Sequence, residues 1–197
     1  MYLLRPSQLK GYKDMKKTVI LGVTGSIAAY KAADIVSRLV KKDIDVHVVM
    51  TKNGAEFITP LTMQSLSKNR VFVDTLQEDD PSEVIHVNLP QRADLILIAP
   101  ATANIIAKIA YGLADDMLSS MVLAAHDIPM LIAPAMNTRM YENAATQQNL
   151  EILKSRKWRE IAPRVSRLAC GYEGLGALAE VDNIVKSVFD ILLPANF

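Results

Sequence analysis

Cysteine and tryptophan are nearly absent from this 197-residue sequence, which has one of each. A single cysteine excludes an internal disulfide, so we expect a reducing, cytoplasmic setting rather than a disulfide-stapled fold. No apolar run approaches the ~20 residues of a membrane-spanning helix, and no signal-peptide pattern opens the chain. The 22 basic and 21 acidic residues nearly cancel and form no basic stripe. Neither nucleic acid nor a membrane is therefore expected as a partner.

Apolar residues make up half of the sequence and charged residues 22%, which is ordinary globular usage. The length and the lack of a composition break indicate a single domain over residues 16–197. Residues 1–15 share no pattern with the remainder, and we predict that they form a disordered extension.

Short apolar runs alternate with segments of helical period. The predicted strands are Lys17–Leu21, Asp45–Met50, Asp94–Ala99 and Pro129–Ala133, with shorter ones near Val71–Val73 and Glu160–Ala162. The predicted helices are Ser26–Val40, Ala55–Ile58, Ala103–Tyr111, Asn143–Leu153 and Asp182–Leu192. This alternation predicts an α/β fold with a doubly wound parallel sheet in three layers.

Polar residues follow three of the predicted strands. The first turn, Gly22-Val-Thr-Gly-Ser26, offers backbone N–H groups, a hydroxyl and a helix N-terminus, which suit a phosphate. Its GxxG spacing is not the dinucleotide fingerprint, and two glycines at a strand–helix turn more often form a tight turn without a ligand. Thr51-Lys-Asn53 and Thr102-Ala-Asn104 bring further hydroxyls and amides to the same sheet edge, although helix capping is an alternative for the second group.

Three side chains are candidates for chemistry. Asn137, in Pro134-Ala-Met-Asn-Thr-Arg-Met-Tyr141 after a predicted strand, is a neutral amide suited to a carboxylate. His86 carries an imidazole, the side chain best suited to a base near neutral pH, and Cys170 stands among glycines that indicate a mobile flap. Each has an ordinary alternative: a cap asparagine, a solvated histidine and a packed cysteine.

Five blocks of the sequence resemble the homo-oligomeric, flavin-dependent cysteine decarboxylases. The octet is similar to that family's PxMNxxMW signature, with Tyr141 in place of the tryptophan. The other blocks are Gly22-Val-Thr-Gly-Ser26, Ala99-Pro-Ala-Thr-Ala-Asn104, Ala114-Asp-Asp116 and Leu168-Ala-Cys-Gly-Tyr-Glu-Gly-Leu-Gly-Ala177. The resemblance implies a flavodoxin-like or Rossmann-like flavoprotein. Within the family, the chain is most similar to members that convert 4'-phosphopantothenoyl-L-cysteine to 4'-phosphopantetheine in coenzyme A biosynthesis.

FMN is the cofactor that the resemblance implies. Its phosphate, ribityl chain and ring would contact Gly25, Ser26, Ile27, Thr51, Asn53, Thr102, Ala103, Asn104 and Ala135. We expect no metal, since no His, Cys and acid cluster has ligand spacing. Asp115 and Asp116 precede an apolar run and are interpreted as a helix start.

The resemblance also assigns catalytic and substrate-binding roles. His86 would accept the thiol proton and Cys170 would return a proton, while the substrate would contact Asn137, Arg167, Ala169 and Leu178. Direct decarboxylation of the cysteine would leave an unstabilised carbanion at Cα. Oxidation of the thiol-bearing carbon first makes a C=S group, which can accept the electrons as CO₂ leaves. Ala177 replaces an arginine of many relatives, so no phosphate contact is assigned to it.

Three other functions remain as alternatives: oxidative decarboxylation of a peptide's C-terminal cysteine, flavin prenyl transfer on a related fold, and a non-catalytic flavin-binding regulatory protein. The peptide reaction releases an enethiol and needs no Cys170 block, and the regulatory relatives usually carry long acidic tails. The resemblance implies a homotrimer, sometimes assembled into a dodecamer of trimers, with FMN at the subunit interface.

Overall fold

The computed structural model describes residues 16–75, 84–167, 171 and 173–193. The prediction of a disordered extension at residues 1–15 falls outside this part of the chain. So do Ala169 and Cys170, two of the predicted site residues.

A five-stranded parallel sheet forms the centre of the molecule. Its strands are β1 Thr18–Val23, β2 Asp45–Met50, β3 Leu95–Ala101, β4 Met130–Pro134 and β5 Arg159–Glu160. They run in the order β2-β1-β3-β4-β5, and every pairing is parallel. All seven residues of β3 are buried, which explains its continuous apolar sequence. This strand order is one of the two common doubly wound arrangements and places a ligand crevice where the order reverses, between β1 and β3.

Helices cover both faces of the sheet. They are α1 Tyr30–Lys41, α2 Lys52–Phe57, α3 Pro60–Ser67, α4 Ile85–Arg92, α5 Ala103–Tyr111, α6 Met117–Ala124, α7 Thr138–Tyr141, α8 Ala144–Ser155 and α9 Val181–Leu192. Buried side chains of α1, α3 and α9 pack in one apolar core, and those of α4, α5, α6 and α8 in the other. The predicted three-layer, doubly wound α/β fold is confirmed.

The sequence located most of these elements closely. β2 and α5 have the predicted bounds, and the predicted strand at Val71–Val73 is a single bridge between Phe72 and Val49. The predicted first helix begins instead with a 3₁₀ turn, Ile27–Ala29, before α1. Helices α3 and α4 were not predicted. Each is only eight residues long, and α4 contains Pro90, a residue that usually ends a helix.

A second, two-stranded sheet was also not predicted. Strands β6 Arg164–Arg167 and β7 Glu173–Ala177 pair antiparallel, as the two arms of a hairpin over the Asn137 segment. A Cβ atom at Gly174 would collide with Thr138, and one at Gly176 with the carbonyl of Met136. Gly176 also has a φ of 143°, which side-chain-bearing residues rarely adopt. Gly174 and Gly176 therefore allow the hairpin to pack closely on the Asn137 segment. From the sequence, the number of glycines in this block indicated only a mobile flap.

Helix α6 begins at a complete capping box. The Asp116 carboxylate accepts from the Ser119 amide at 2.8 Å, and the Ser119 hydroxyl accepts from the Asp116 amide. Burial disfavours the charged carboxylate, but the hydrogen bonds from Lys108 and Ser119 outweigh this and lower the pKa of Asp116 below 3.8. Asp116 therefore caps the helix, as predicted.

Replacement of Asp116 is expected to destabilise the protein to different extents. Asp116→Ala should lower the free energy of unfolding by about 1 kcal/mol, as for other lost N-caps. Asp116→Asn keeps a capping acceptor and removes only the charge that faces Lys108, so its loss at neutral pH should be smaller. Urea unfolding of the three proteins measures both differences.

Acidification provides the control. Because the folded pKa of Asp116 is lowered, its charge contributes fully above the unfolded pKa and ceases to contribute as pH falls through the folded value. The stability difference between wild type and Asp116→Asn should therefore begin to shrink as pH falls below 3.8 and should vanish once pH is below the lowered folded pKa. A difference that does not change with pH would contradict the ion pair's contribution.

Candidate functional site

Thr24 joins the ends of the two central strands. Its buried hydroxyl donates to the Pro100 carbonyl at 2.7 Å and accepts from the Thr102 amide at 3.1 Å. Strand β1 and the segment after β3 are thereby held in a fixed relation at the point where the strand order reverses. Open α/β sheets bind their ligands at this position.

The end of β2 is held equally close to β1. The Thr51 amide donates to the Val23 carbonyl at 3.0 Å, and the Thr51 hydroxyl caps α2 by accepting from Gly54. A Cβ atom at Gly25 would lie 2.6 Å from the Cβ of Asn53, so this turn admits only hydrogen there. The three predicted polar strand ends therefore converge.

Two adjoining cavities open at this edge and share Gly25, Thr102 and Met140. The first, here called the polar cavity, has a volume of about 460 Å³ and lies along the ends of β1, β2 and β3. The second, the hairpin cavity, has a volume of about 490 Å³ and lies between α1, the Asn137 segment and the hairpin. Both volumes fall in the range of small-molecule sites, ~300–1,000 Å³.

The predicted cofactor residues all line one of these cavities. The polar cavity contains Gly25, Thr51, Asn53, Thr102, Ala103 and Asn104. The hairpin cavity contains Gly25, Ser26, Ile27, Thr102 and Ala135. Of the predicted substrate residues, Asn137, Arg167 and Leu178 also line the hairpin cavity. Residues far apart in the sequence thus meet in one continuous depression.

Asn137 has a defined orientation in the hairpin cavity. Its side-chain oxygen accepts from the Arg139 amide at 2.9 Å and caps the short helix α7. The capping alternative is therefore correct, but it does not exclude the carboxylate role, because the amide nitrogen is a separate donor.

His86 is not brought to either cavity. It lies in the first turn of α4, with its Nδ1 atom buried, and it is not among the described residues that line the two cavities. The other two histidines pair with neighbouring acids: His47 with Asp45 at 3.1 Å, and His126 with Asp127 at 3.0 Å. Within one copy of the chain, Asn137, predicted to bind the substrate carboxylate, lines the hairpin cavity, whereas His86, the predicted base, lines neither cavity.

Tyr141, at the end of the short helix α7 that Asn137 caps, connects this segment to β5. Its hydroxyl donates to Glu160 at 2.8 Å, and Lys154 lies 3.2 Å from the same carboxylate. Burial, followed by the hydrogen bond to Glu160, raises the pKa of Tyr141 to about 12. The phenol therefore stays protonated and neutral at physiological pH.

Several charged or polar lining residues were not predicted from the sequence as site residues. The polar cavity adds Lys52, Asp74, Lys108, Asp115 and Asp116, and the hairpin cavity adds Lys31, Arg164 and Ser166. Lys108 lies 2.6 Å from Asp115 and 2.7 Å from Asp116. Burial opposes its charge, but these two acids dominate and raise the pKa of Lys108. Arg164 and Ser166 could have been found only by recognising the hairpin, whose alternation places them on one side of β6.

The chemistry of this lining suits a flavin. Hydroxyl, amide and backbone N–H donors lie at the strand ends, and apolar side chains including Ile27, Met136 and Leu178 line the adjoining cavity. Within the described ranges, no three His, Cys, Asp or Glu side chains are grouped as a metal would require. In the same part of the chain, no helix has the length and apolarity to cross a membrane.

Curated relatives resemble the chain over most of its length. A probable phosphopantothenoylcysteine decarboxylase of Streptococcus mutans is 49% identical over 175 residues, which are 88% of this chain and 98% of the relative. The coenzyme A biosynthesis bifunctional protein CoaBC of Bacillus subtilis is 46% identical over 170 residues. That match covers 86% of this chain but only 42% of the bifunctional relative.

Solved structures share the fold. A PPC decarboxylase mutant complexed with pantothenoylaminoethenethiol superposes with a TM-score of 0.79 and 32% identity, over 88% of this chain and 97% of that one. The FMN binding protein AtHal3 has a TM-score of 0.76 and 32% identity, over 93% of this chain and all of that one. Together with the donor set of the cavities, these neighbours support a flavin cofactor.

A family model described as Flavoprotein matches residues 7–193, nearly the whole chain. The parallel sheet, the polar strand ends and the two cavities are the structural counterpart of that match. This chain belongs to the Flavoprotein family.

Proposed function

We propose that this chain is an FMN-dependent decarboxylase that converts 4'-phosphopantothenoyl-L-cysteine to 4'-phosphopantetheine. One observation supports this most: the described cofactor residues and the Asn137 segment line two adjoining cavities, as one site requires. The relative from Streptococcus mutans, named for the same reaction, supports the choice of substrate. A cytoplasmic setting stays a prediction from the single cysteine.

FMN would be held by the ends of β1, β2 and β3. Thr51, Asn53, Thr102 and Asn104 provide uncharged donors, and Ala135 provides a small surface beside the ring. When bound, the flavin supplies a reversible hydride acceptor for the thiol-bearing carbon of the substrate. The chain itself has to orient the cysteine and move protons.

Asn137 is proposed to hold the substrate carboxylate. A neutral amide donor can fix the carboxylate without a full positive charge, which would stabilise the ionised ground state more than the transition state in which neutral CO₂ leaves. His86 is proposed to accept the thiol proton, and Cys170 to return a proton to the enethiol carbon. Cys170 lies outside the described residues, so its role is argued from the sequence alone.

The assembly is proposed to be at least a trimer. Ile27 and Tyr30 are each 61% exposed and Met140 is 49% exposed, although all three line the hairpin cavity. Apolar side chains around an open site favour cover by another protein surface. A second copy would also explain how His86, which lines neither cavity, reaches the substrate held at Asn137.

Purified protein should bind FMN, visible as flavin absorbance, and should convert 4'-phosphopantothenoyl-L-cysteine to a product lighter by one CO₂. Mass spectrometry measures the product. The matched serine compound is the control, because it carries no thiol and should not be decarboxylated. A protein that cannot bind FMN, or that returns the cysteine substrate unchanged, would refute the proposed function.

Mixing two inactive variants tests the shared site. His86→Asn should block proton acceptance, and Asn137→Asp should repel the substrate carboxylate, so each variant alone should lose CO₂ release. If a site combines His86 of one copy with Asn137 of another, complete subunit exchange at a 1:1 ratio should restore roughly a quarter of the wild-type rate, averaged over all trimers in the mixture.

FMN content and light scattering are the controls for the mixture, since both variants should keep cofactor and assembly. No recovery in a mixture proven to contain mixed trimers would place both residues in one copy. A monomer that retains FMN would contradict the trimer itself.

Cys170→Ser should uncouple the two halves of the reaction. Oxidation and CO₂ loss precede the returning proton, and a serine hydroxyl is a far weaker acid than a thiol. The released product should be the enethiol, lighter than phosphopantetheine by one hydrogen molecule, as mass spectrometry would show. The solved PPC decarboxylase mutant complexed with an aminoethenethiol supports this expectation. Fully reduced product at the wild-type rate would mean that another group closes the cycle.

A further inference from the structure

The position of the Asn137 side chain is linked through the backbone to Tyr141. The two residues are joined by the single-turn helix α7, in which the Tyr141 amide donates to the Asn137 carbonyl at 3.0 Å. The Asn137 side-chain oxygen accepts from the Arg139 amide in the same turn. A single helical turn is not stable by itself, so its place is set by whatever holds its end.

Tyr141 and Asn137 have different surroundings. Asn137 and Met140 line the hairpin cavity, whereas Tyr141 lines neither cavity and packs against the apolar core that α4, α5, α6 and α8 share. Tyr141 is therefore not placed to touch a ligand in either cavity. An effect of this side chain on the reaction has to pass through α7.

Two hydrogen bonds hold Tyr141 in place. Its hydroxyl donates to Glu160 at the end of β5 at 2.8 Å, and its backbone carbonyl accepts from the Gln147 side chain of α8 at 2.6 Å. Glu160 belongs to the central sheet, since it pairs in register with Ile132 of β4. The phenol therefore ties the end of α7 to the sheet itself.

The acceptor of this phenol is a largely buried carboxylate. The Glu160 side chain is only 10% exposed, and burial of a carboxylate is strongly unfavourable unless its oxygens are paired. Tyr141 donates to Oε1, and Lys154 lies 3.2 Å from Oε2. Hydrogen bonds to charged groups are stronger than those between neutral groups, so this bond is suited to fix a single helical turn.

We propose that Tyr141 and Glu160 are positioning residues for the carboxylate-binding amide of Asn137. This inference rests on the proposed function, in which Asn137 holds the substrate carboxylate. The family signature has tryptophan where this chain has Tyr141, so the bond from a phenol to Glu160 is a feature of this chain's own sequence. A misplacement of about 1 Å at a reacting group lowers a rate by roughly 100-fold, which is why an anchor without ligand contact affects the reaction.

Two unreactive ligands that differ only in the carboxylate give the test. 4'-Phosphopantothenoyl-L-serine has the carboxylate but no thiol, and 4'-phosphopantothenoyl-ethanolamine lacks the carboxylate as well. Calorimetry on FMN-loaded protein measures the ratio of their dissociation constants. Asn137→Ala should lower the preference for the serine compound roughly 10-fold or more, as loss of a hydrogen bond to a charged group does. Tyr141→Phe and Glu160→Leu should each lower it too, with the affinity for the ethanolamine compound unchanged.

Tyr111→Phe is the matched control, because Tyr111 is 65% exposed and lines neither cavity. It should resemble wild type with both ligands. The double variant of Tyr141→Phe and Glu160→Leu should lose no more preference than either single variant, since the same bond is lost in all three. An equal loss of affinity for both ligands in Tyr141→Phe would mean a merely structural role and would overturn the proposal. A preference that Asn137→Ala abolishes and Tyr141→Phe leaves intact would overturn it equally.

Hydrogen exchange separates failure of this inference from failure of the proposed function, because it needs neither substrate nor turnover. The amides of Met140 and Tyr141 both donate to the Asn137 carbonyl. They should exchange roughly 10-fold faster in Tyr141→Phe than in wild type, and at the wild-type rate in Tyr111→Phe. Faster exchange would support the anchor even if no decarboxylation occurs. Exchange at the wild-type rate in Tyr141→Phe would refute it even in an active enzyme.

Discussion

The buried hydroxyl of Thr24 is the contact on which the rest of the site depends. It donates to the Pro100 carbonyl and accepts from the Thr102 amide, so β1 and β3 end at a fixed separation where the strand order reverses. A buried hydroxyl without these partners would cost ~1–3 kcal/mol, which favours this one arrangement of strand ends. The polar cavity lies on one side of this junction and the hairpin cavity on the other, with Thr102 in both linings.

The two cavities differ in the charge of the residues that line them. The strand ends provide uncharged donors and paired charges, which can hold a cofactor without a large net charge. The hairpin and the start of α1 place Lys31, Arg164 and Arg167 along the other cavity, which has no acid among its described lining residues. Close packing of the hairpin requires glycine at 174 and 176, because side chains there would collide with Thr138 and Met136.

Prediction from the sequence succeeded where a local pattern carries the information. The bounds of β2 and α5 follow from an apolar run and from helical period with a Thr102 cap and a Gly112 end. The missed elements lack such signals: α4 contains an internal proline, and the hairpin reads as glycine-rich irregular chain. The predicted cofactor residues follow strands, and the parallel topology alone carries them to one edge. Cys170 and Ala169 stay predictions.

The sequence by itself determined the layered α/β fold and the polar character of the strand ends, because periodicity and turn residues act over a few positions. Tertiary structure decided which charged side chains share a cavity. Lys108 pairs with acids that are near it in the sequence, whereas Lys31 and Arg164 line one cavity only because the chain returns more than a hundred residues later to form the hairpin. It also placed His86 on α4 away from both cavities, since the packing of α4 against the sheet depends on side chains distant in the sequence. Electrostatic and packing partners of this kind are set by the folded topology, and no local pattern encodes them.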